Sequence, residues 1–218
     1  NVYQGWNTMD IKITPSRLSG KLIVPPSKSI SHRMLICAAF CDGITHIDNL
    51  LECMDLHATI NALTALGAKI NGKDGSYDIT GITQPSKKAA VDCFESGSTL
   101  RFMIPIFSAF GCEAEFTGRG KLPERPITPL IEPMTENGAV FETLSMPYRV
   151  KGRLNGGKYY IDGSVSSQFI TGLLFALSVL SKDSEIILTT RLESKPYVNI
   201  TTDCMKQFGV CLLYTSDA

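Results

Sequence analysis

Three short stretches set hydroxyls and cations at matching points of the chain: Ser27-Lys28-Ser29-Ile30-Ser31-His32-Arg33, Ser96-Gly97-Ser98-Thr99-Leu100-Arg101 and Ser164-Val165-Ser166-Ser167-Gln168-Phe169. Ser29, Ser98 and Ser167 follow one another at intervals of 69 residues. Each stretch runs into an apolar segment and reads as a helix N-terminus, where free backbone N–H groups and the positive dipole end favour an anion. Lys28 supplies a compact cation and Arg33 a planar donor fork; Arg33 stands four residues after Ser29, so both can face one ligand. Gly97 allows a ligand close to the backbone. Ser166, Ser167 and Gln168 offer two hydroxyls and an amide suited to a phosphate ester. Arg125, held between Glu124 and Pro126, is a further anion-binding candidate, and Ser194-Lys195-Pro196-Tyr197 adds a hydroxyl and a phenol. The set describes a pocket for a small phosphorylated molecule.

The interval implies one supersecondary unit used three times. In the first, Lys21 to Pro25 reads as a strand, and Ser27 or Ser29 caps a helix to about Asp42. A strand over Ile44 to Leu50, a helix over Asp55 to Gly67 and a hairpin of Lys69 to Asn71 with Tyr77 to Ile79 complete it. The second unit repeats the order: strand Ala90 to Phe94, helix Ser96 to Phe110, strand Glu113 to Thr117, helix Ile127 to Asn137, and strands around Val140 and Val150. The third has strand Tyr159 to Ile161, helix Ser166 to Ser181, strand Ile186 to Thr189 and helix Val198 to Phe208, and stops before its last two strands. The first helix of each unit is apolar nearly all round and must be buried. The fold class is therefore α/β (α+β), with helices inside, sheets outside and a truncated third βαβαββ unit. Pro105 is expected to kink its helix.

Lys plus Arg and Asp plus Glu both number 21, which argues against a nucleic-acid partner needing an overall basic face. The longest apolar run, Phe169 to Leu180, is too short to span a bilayer. With no signal peptide evident, a cytoplasmic location without a membrane partner is expected. The seven cysteines form no CxxC pair and the three histidines stand scattered, so no metal site and no nucleophilic triad emerge. Residues 1–8 precede Met9 and read as upstream translation. Residues 211–218 break the preceding pattern and match the translation of a sequencing-library adapter, leaving 9–210 as the native portion.

Taken in order, Pro25-Pro26-Ser27-Lys28-Ser29-Ile30-Ser31-His32-Arg33, Glu124-Arg125-Pro126, Gly163 to Phe169 and Ser194-Lys195-Pro196-Tyr197 resemble the 5-enolpyruvylshikimate-3-phosphate synthase family. The resemblance spans Met9 to Val210 and implies the N-terminal half of a two-domain enzyme, an inside-out α/β barrel of the enolpyruvyl transferase type. That family moves the enolpyruvyl group from phosphoenolpyruvate to the 5-hydroxyl of shikimate 3-phosphate, releasing phosphate, with no cofactor and as a monomer. Carried onto this sequence, Lys28, Arg125 and Gln168 are the catalytic residues. Ser29, Arg33, Ser166, Ser167, Ser194 and Tyr197 would hold shikimate 3-phosphate; Gly97 and Arg125 would bind phosphoenolpyruvate, where glyphosate competes. Lys28 would touch both substrates, and Gln168 would lie between them. Many members carry Asn at the position of Glu95, whose carboxylate is expected to oppose anion binding or to pair with Lys28. The sister family acting on UDP-N-acetylglucosamine typically has Lys-Asn in place of Lys28-Ser29 and a loop cysteine that Gly118 to Arg125 lacks. A non-catalytic phosphate-binding module is the alternative from another class.

Overall fold

The computed structural model of the chain describes residues 12, 14–17 and 19–213. The expected upstream segment 1–8 and residues 214–218 of the expected tail lie outside them. The first run of elements is α1 (Lys28–Ala39), β1 (Ile44–Ile47), α2 (Met54–Leu66) and the hairpin β2 (Lys69–Lys73) with β3 (Ser76–Thr80). The second is β4 (Lys88–Asp92), α3 (Gly97–Phe110), β5 (Glu113–Thr117), α4 (Thr128–Glu136), β6 (Ala139–Phe141) and β7 (Tyr148–Gly152). The third is β8 (Lys158–Ile161), α5 (Ser167–Ser178), β9 (Glu185–Leu188) and α6 (Lys195–Gln207).

Serine hydroxyls start the three helices that form the interior. Ser27, Ser96 and Ser166 each take an extended backbone and accept a hydrogen bond from the first turn, from Ile30, Thr99 and Gln168 N–H respectively. Behind the caps the sequences leave no polar face: Leu35–Ala39, Phe102–Phe107 and Phe169–Leu173 are buried. Phe102 stands between neighbours, edge-on to His32 of α1 and to Phe175 of α5.

Three separate sheets cover this interior, in the orders β1-β3-β2, β4-β5-β7-β6 and β8-β9. Their strands alternate as half-buried strands must, with Tyr77 and Ile79 or Tyr148 and Val150 inward and their neighbours outward. The inside-out arrangement expected from sequence holds; among the described residues the sheets do not join into one closed barrel. The strand expected over Lys21 to Pro25 does not form. Leu22, Ile23 and Val24 lie exposed with no partner strand, and Pro25 and Pro26 withhold two ladder donors.

One backbone junction sets the spacing of α3 and α5. Helix α3 runs through Pro105, whose missing N–H leaves the Arg101 carbonyl without its usual partner. Gly172 of α5 backs onto that carbonyl: a Cβ at Gly172 would stand 2.4 Å from Arg101 O and 2.9 Å from Pro105 Cγ. Only glycine lets the two helices come this close. Because Arg101 and Pro105, like Gln168 and Gly172, are one turn apart, the contact brings the polar first turns of α3 and α5 together.

Candidate active site

The helix N-termini meet at one end of the molecule, and the contacts between their first turns define the site. Arg33 leaves the second turn of α1 and is buried. Its Nε donates to Thr201 Oγ1 at 2.7 Å, Nη1 to Ser29 O at 2.8 Å, and Nη2 to Thr171 Oγ1 and Tyr197 O at 3.3 and 3.2 Å. This one guanidinium thereby ties α1 to α5 and α6 and fixes Ser29 and Tyr197 beside it. Burial lowers its pKa to about 10, so it keeps its charge at neutral pH. Ser194 starts α6 exposed, in a left-handed conformation (φ 56°), and its side chain makes no cap.

The second cluster surrounds Gly97. Its built-in space is shared by three side chains: a Cβ there would lie 3.0 Å from Arg125 Nη1, 3.8 Å from Gln168 Oε1 and 3.9 Å from Arg101 Nη1. Gln168 donates through Nε2 to Ser98 Oγ at 3.0 Å and accepts from Arg101 Nη1 at 2.6 Å. Arg125 reaches this point on a loop that is anchored to the start of α3. Arg119 N–H donates to Phe94 O at 2.7 Å, its guanidinium lies over the Phe94 ring at 4.6 Å and pairs with Asp92, and Phe94 N–H donates to Asp92 Oδ1 at 2.8 Å. Buried Leu122 then accepts from Arg125 N–H at 3.0 Å.

Ser166 and Ser167 open α5, the second of them buried. Asp162 Oδ1 orders the loop in front of them, accepting from Ser164 Oγ at 2.6 Å and Thr190 Oγ1 at 2.5 Å. These hydroxyl hydrogen bonds hold its carboxyl below the ordinary range. Lys28 pairs with Asp55 at 2.9 Å rather than with Glu95, which corrects one expectation. The Glu95 carboxylate instead lies against Gly120, where a Cβ would come within 2.6 Å of both its oxygens.

A buried relay runs beneath the site. His32 Nδ1 meets Thr59 Oγ1 at 2.7 Å, Thr59 meets Thr99 at 2.8 Å, and Thr99 Oγ1 meets Ser96 Oγ at 2.8 Å. Burial pushes the His32 pKa down to about 4, and its Nε2 has no partner among the described residues. The ring is neutral and structural.

The structure thus gathers Gly97, Arg125 and Gln168 in one cluster and Ser29, Arg33 and Tyr197 in another. Thr171 joins the clusters, one turn after Gln168 on α5 and bonded to Arg33. Lys28 approaches the first cluster through Asp55, whose carbonyl accepts from Thr99 Oγ1 at 3.3 Å. Sequence reasoning passed over Arg101, Asp55, Thr171 and Thr201; a lone Arg inside an otherwise apolar helix start was the one available signal. Among the described residues no carboxylate pairs with Arg33, Arg101 or Arg125. Cations left without carboxylates beside helix N-termini have the donor chemistry that suits oxyanions. Among those residues, too, no group of three His, Cys, Asp or Glu side chains is arranged to hold a metal ion.

The EPSP synthase (3-phosphoshikimate 1-carboxyvinyltransferase) family profile matches residues 13–217. The 3-phosphoshikimate 1-carboxyvinyltransferases of Clostridium kluyveri and Clostridium beijerinckii are 46% and 41% identical over 205 and 211 residues. The matches take in 93% and 92% of this chain but 48% of each relative, so the chain spans about half their length. EPSP synthase from Acinetobacter baumannii superposes with a TM-score of 0.77 at 26% identity, over 91% of this chain and 45% of that one. On this profile match and these relatives, the chain belongs to the EPSP synthase family.

Proposed function

We propose that this chain is the shikimate 3-phosphate-binding half of a 3-phosphoshikimate 1-carboxyvinyltransferase. The complete enzyme would join the enolpyruvyl group of phosphoenolpyruvate to the 5-hydroxyl of shikimate 3-phosphate and release phosphate. The observation that carries this reading is the pairing of a buried, charged Arg33 on one side of Thr171 with Arg101 and Arg125 around Gly97 on the other, none of them bonded to a carboxylate among the described residues. Removing a cation from water costs several kcal/mol unless an anion compensates it, so such an arrangement favours a polyanionic ligand.

In this reading Ser166, Ser167 and Ser194 hold the ester phosphate of shikimate 3-phosphate through hydroxyls and the free N–H groups at the start of α5. Ser29, Arg33 and Tyr197 orient the ring. Gly97 leaves room for phosphoenolpyruvate against the start of α3, with Arg125 matching its charge and Gln168 between the two substrates. Lys28, exposed and beside Asp55, is free to swing onto either anion as the proton-carrying group. Aligning two anions against their mutual repulsion is the main task, and it rests on positioning and water exclusion. Only half the length of the relatives is present, so this chain alone is expected to bind without turning over. The active form would be a cytoplasmic monomer; among the described residues no helix is long and apolar enough to cross a membrane.

The test is calorimetric titration of shikimate 3-phosphate into the chain, with UDP-N-acetylglucosamine as control. Saturable binding of the first alone is expected, weakened by Ser167→Ala and Ser194→Ala. Binding of the second alone would overturn the substrate assignment.

A further inference from the structure

We infer that Arg101 is a positioning residue that locks the Gln168 carboxamide in one of its two flips, so that Gln168 meets a bound ligand only as a hydrogen-bond donor. The inference deepens the reading above, in which Gln168 sits between the two substrates.

The chemistry of the partners fixes the flip. A guanidinium donates and never accepts, so the atom that Arg101 Nη1 meets at 2.6 Å must be the carboxamide oxygen. The amide nitrogen then faces Ser98 Oγ at 3.0 Å and spends one hydrogen there. Its second hydrogen has no partner among the described residues. An unrestrained glutamine presents an acceptor or a donor with similar ease; this one has its acceptor occupied.

Arg101 is itself held in place. Its guanidinium lies over the Phe169 ring at 4.8 Å, and Nη2 donates to Pro126 O at 3.3 Å. Pro126 follows Arg125, so one side chain registers both Gln168 and the loop that delivers Arg125. Arg101 Nε is buried without a partner, and no carboxylate pairs with the group among the described residues. A residue kept only for stability would be expected to have such a counter-ion. The Gly172–Pro105 junction one turn deeper holds the two helices at the separation this hydrogen bond needs. The consequence is a site that presents N–H groups toward the ligand from Gln168, Arg125 and the start of α3. It favours ligands that offer acceptor oxygens, such as phosphate, carboxylate or an ether oxygen.

The test uses the chain as it stands. In the 15N-labelled protein the Gln168 side-chain NH2 pair, assigned by its loss in Gln168→Ala, is expected to be split wide of free glutamine and slow to exchange by flipping. Arg101→Met and Arg101→Lys should both collapse it to the free-glutamine position while the chain stays folded by circular dichroism; should the Met variant fail to fold, the Lys variant decides. An unchanged Gln168 pair in a folded Arg101 variant overturns the inference, whether or not any ligand binds. In a second arm, shikimate 3-phosphate affinity is expected to fall about tenfold in Arg101→Met and in Gln168→Ala, and no further in the double variant. Losses that multiply to about a hundredfold would mean that Arg101 acts on the ligand directly and would also overturn it. A wild-type chain that ignores shikimate 3-phosphate would count against the substrate reading alone, because the amide signals decide the lock without ligand.

Discussion

On the outer face of the four-stranded sheet, Lys88 meets Glu113 at 2.7 Å, Arg149 meets Glu115 at 2.6 Å and Lys151 meets Glu142 at 2.5 Å. At the helix N-termini, Arg33 and Arg101 meet carbonyls, hydroxyls and the Gln168 carboxamide, Arg125 lies near Arg101 beside Gly97, and among the described residues no carboxylate pairs with any of the three. The first set is solvated, so water and salt screen each pair and it contributes little. In the second set Arg33 is buried, Arg101 half-buried and Arg125 exposed, and the two withdrawn from water carry a desolvation cost that their neutral acceptors offset only in part. Neutral overall composition conceals this division: the charges balance on the sheets and are left open at one pole.

The sharpest way to break the contrast is Arg33→Met. An apolar side chain of similar length removes the buried charge, while Thr171 and Thr201 still bond each other at 2.9 Å and Thr201 still donates to Tyr197 O. Charge-assisted hydrogen bonds contribute about 1.5–3 kcal/mol each, so shikimate 3-phosphate affinity should fall about a hundredfold or more. The loss of its four hydrogen bonds and the relief of burying a cation oppose each other, so the ligand-free melting temperature should move little. A folded, equally avid variant would show that Arg33 is a strut alone.

Next in size is the acid response of His32. Its folded pKa, about 4, lies below the 6.5 of free imidazole, so the unfolded chain takes up the proton first. Stability is complete above pH 6.5 and should fall by on the order of 3 kcal/mol as pH drops toward 4. Denaturant melts across that range check the slope, which His32→Asn should flatten. Exposed His46 shifts the other way, raised first by its hydrogen bond to Asp78. Its stabilisation is present below pH 6.5 and fades as pH rises past its folded value, so its NMR titration midpoint should lie above that of free imidazole.

A smaller effect is expected from Gly97→Ala. The added methyl displaces the flexible Arg125 tip rather than backbone, so the fold should survive while phosphoenolpyruvate affinity drops about tenfold, near 1.4 kcal/mol. Shikimate 3-phosphate titration should be unaffected. Smallest is Arg149→Ala on the sheet, which should leave the melting midpoint nearly unchanged and binding unaffected. A large loss there would erase the distinction between the two regions.

Much of this was legible in the chain because it rests on local chemistry. Ser27, Ser96 and Ser166 cap helices where hydroxyls precede apolar runs, and the hairpin turn and the repeated order of elements placed strands at Tyr77–Ile79 and Glu113–Thr117. Lys21 to Pro25 failed because a strand exists only through a neighbour, and Leu22-Ile23-Val24 has none here. Asp55 and Thr201 escaped notice because their roles depend on contacts 27 and 168 residues away in sequence. Of the two roles expected of Glu95, opposing an anion or pairing with Lys28, the second does not form, because its carboxylate lies against Gly120 and Lys28 pairs with Asp55.

The Pro105–Gly172 junction bears on which sequence drift the protein can accept. Phe102 and Phe175 meet through side chains, and cores of this kind tolerate exchanges of volume with compensating neighbours. At 172 no compensating exchange exists, since the obstacle to a methyl group is main chain. At 105, any residue with an N–H would reclaim the Arg101 carbonyl for its own helix. The separation of the two site-bearing helices is therefore written in backbone, and the apolar interior around it is free to wander.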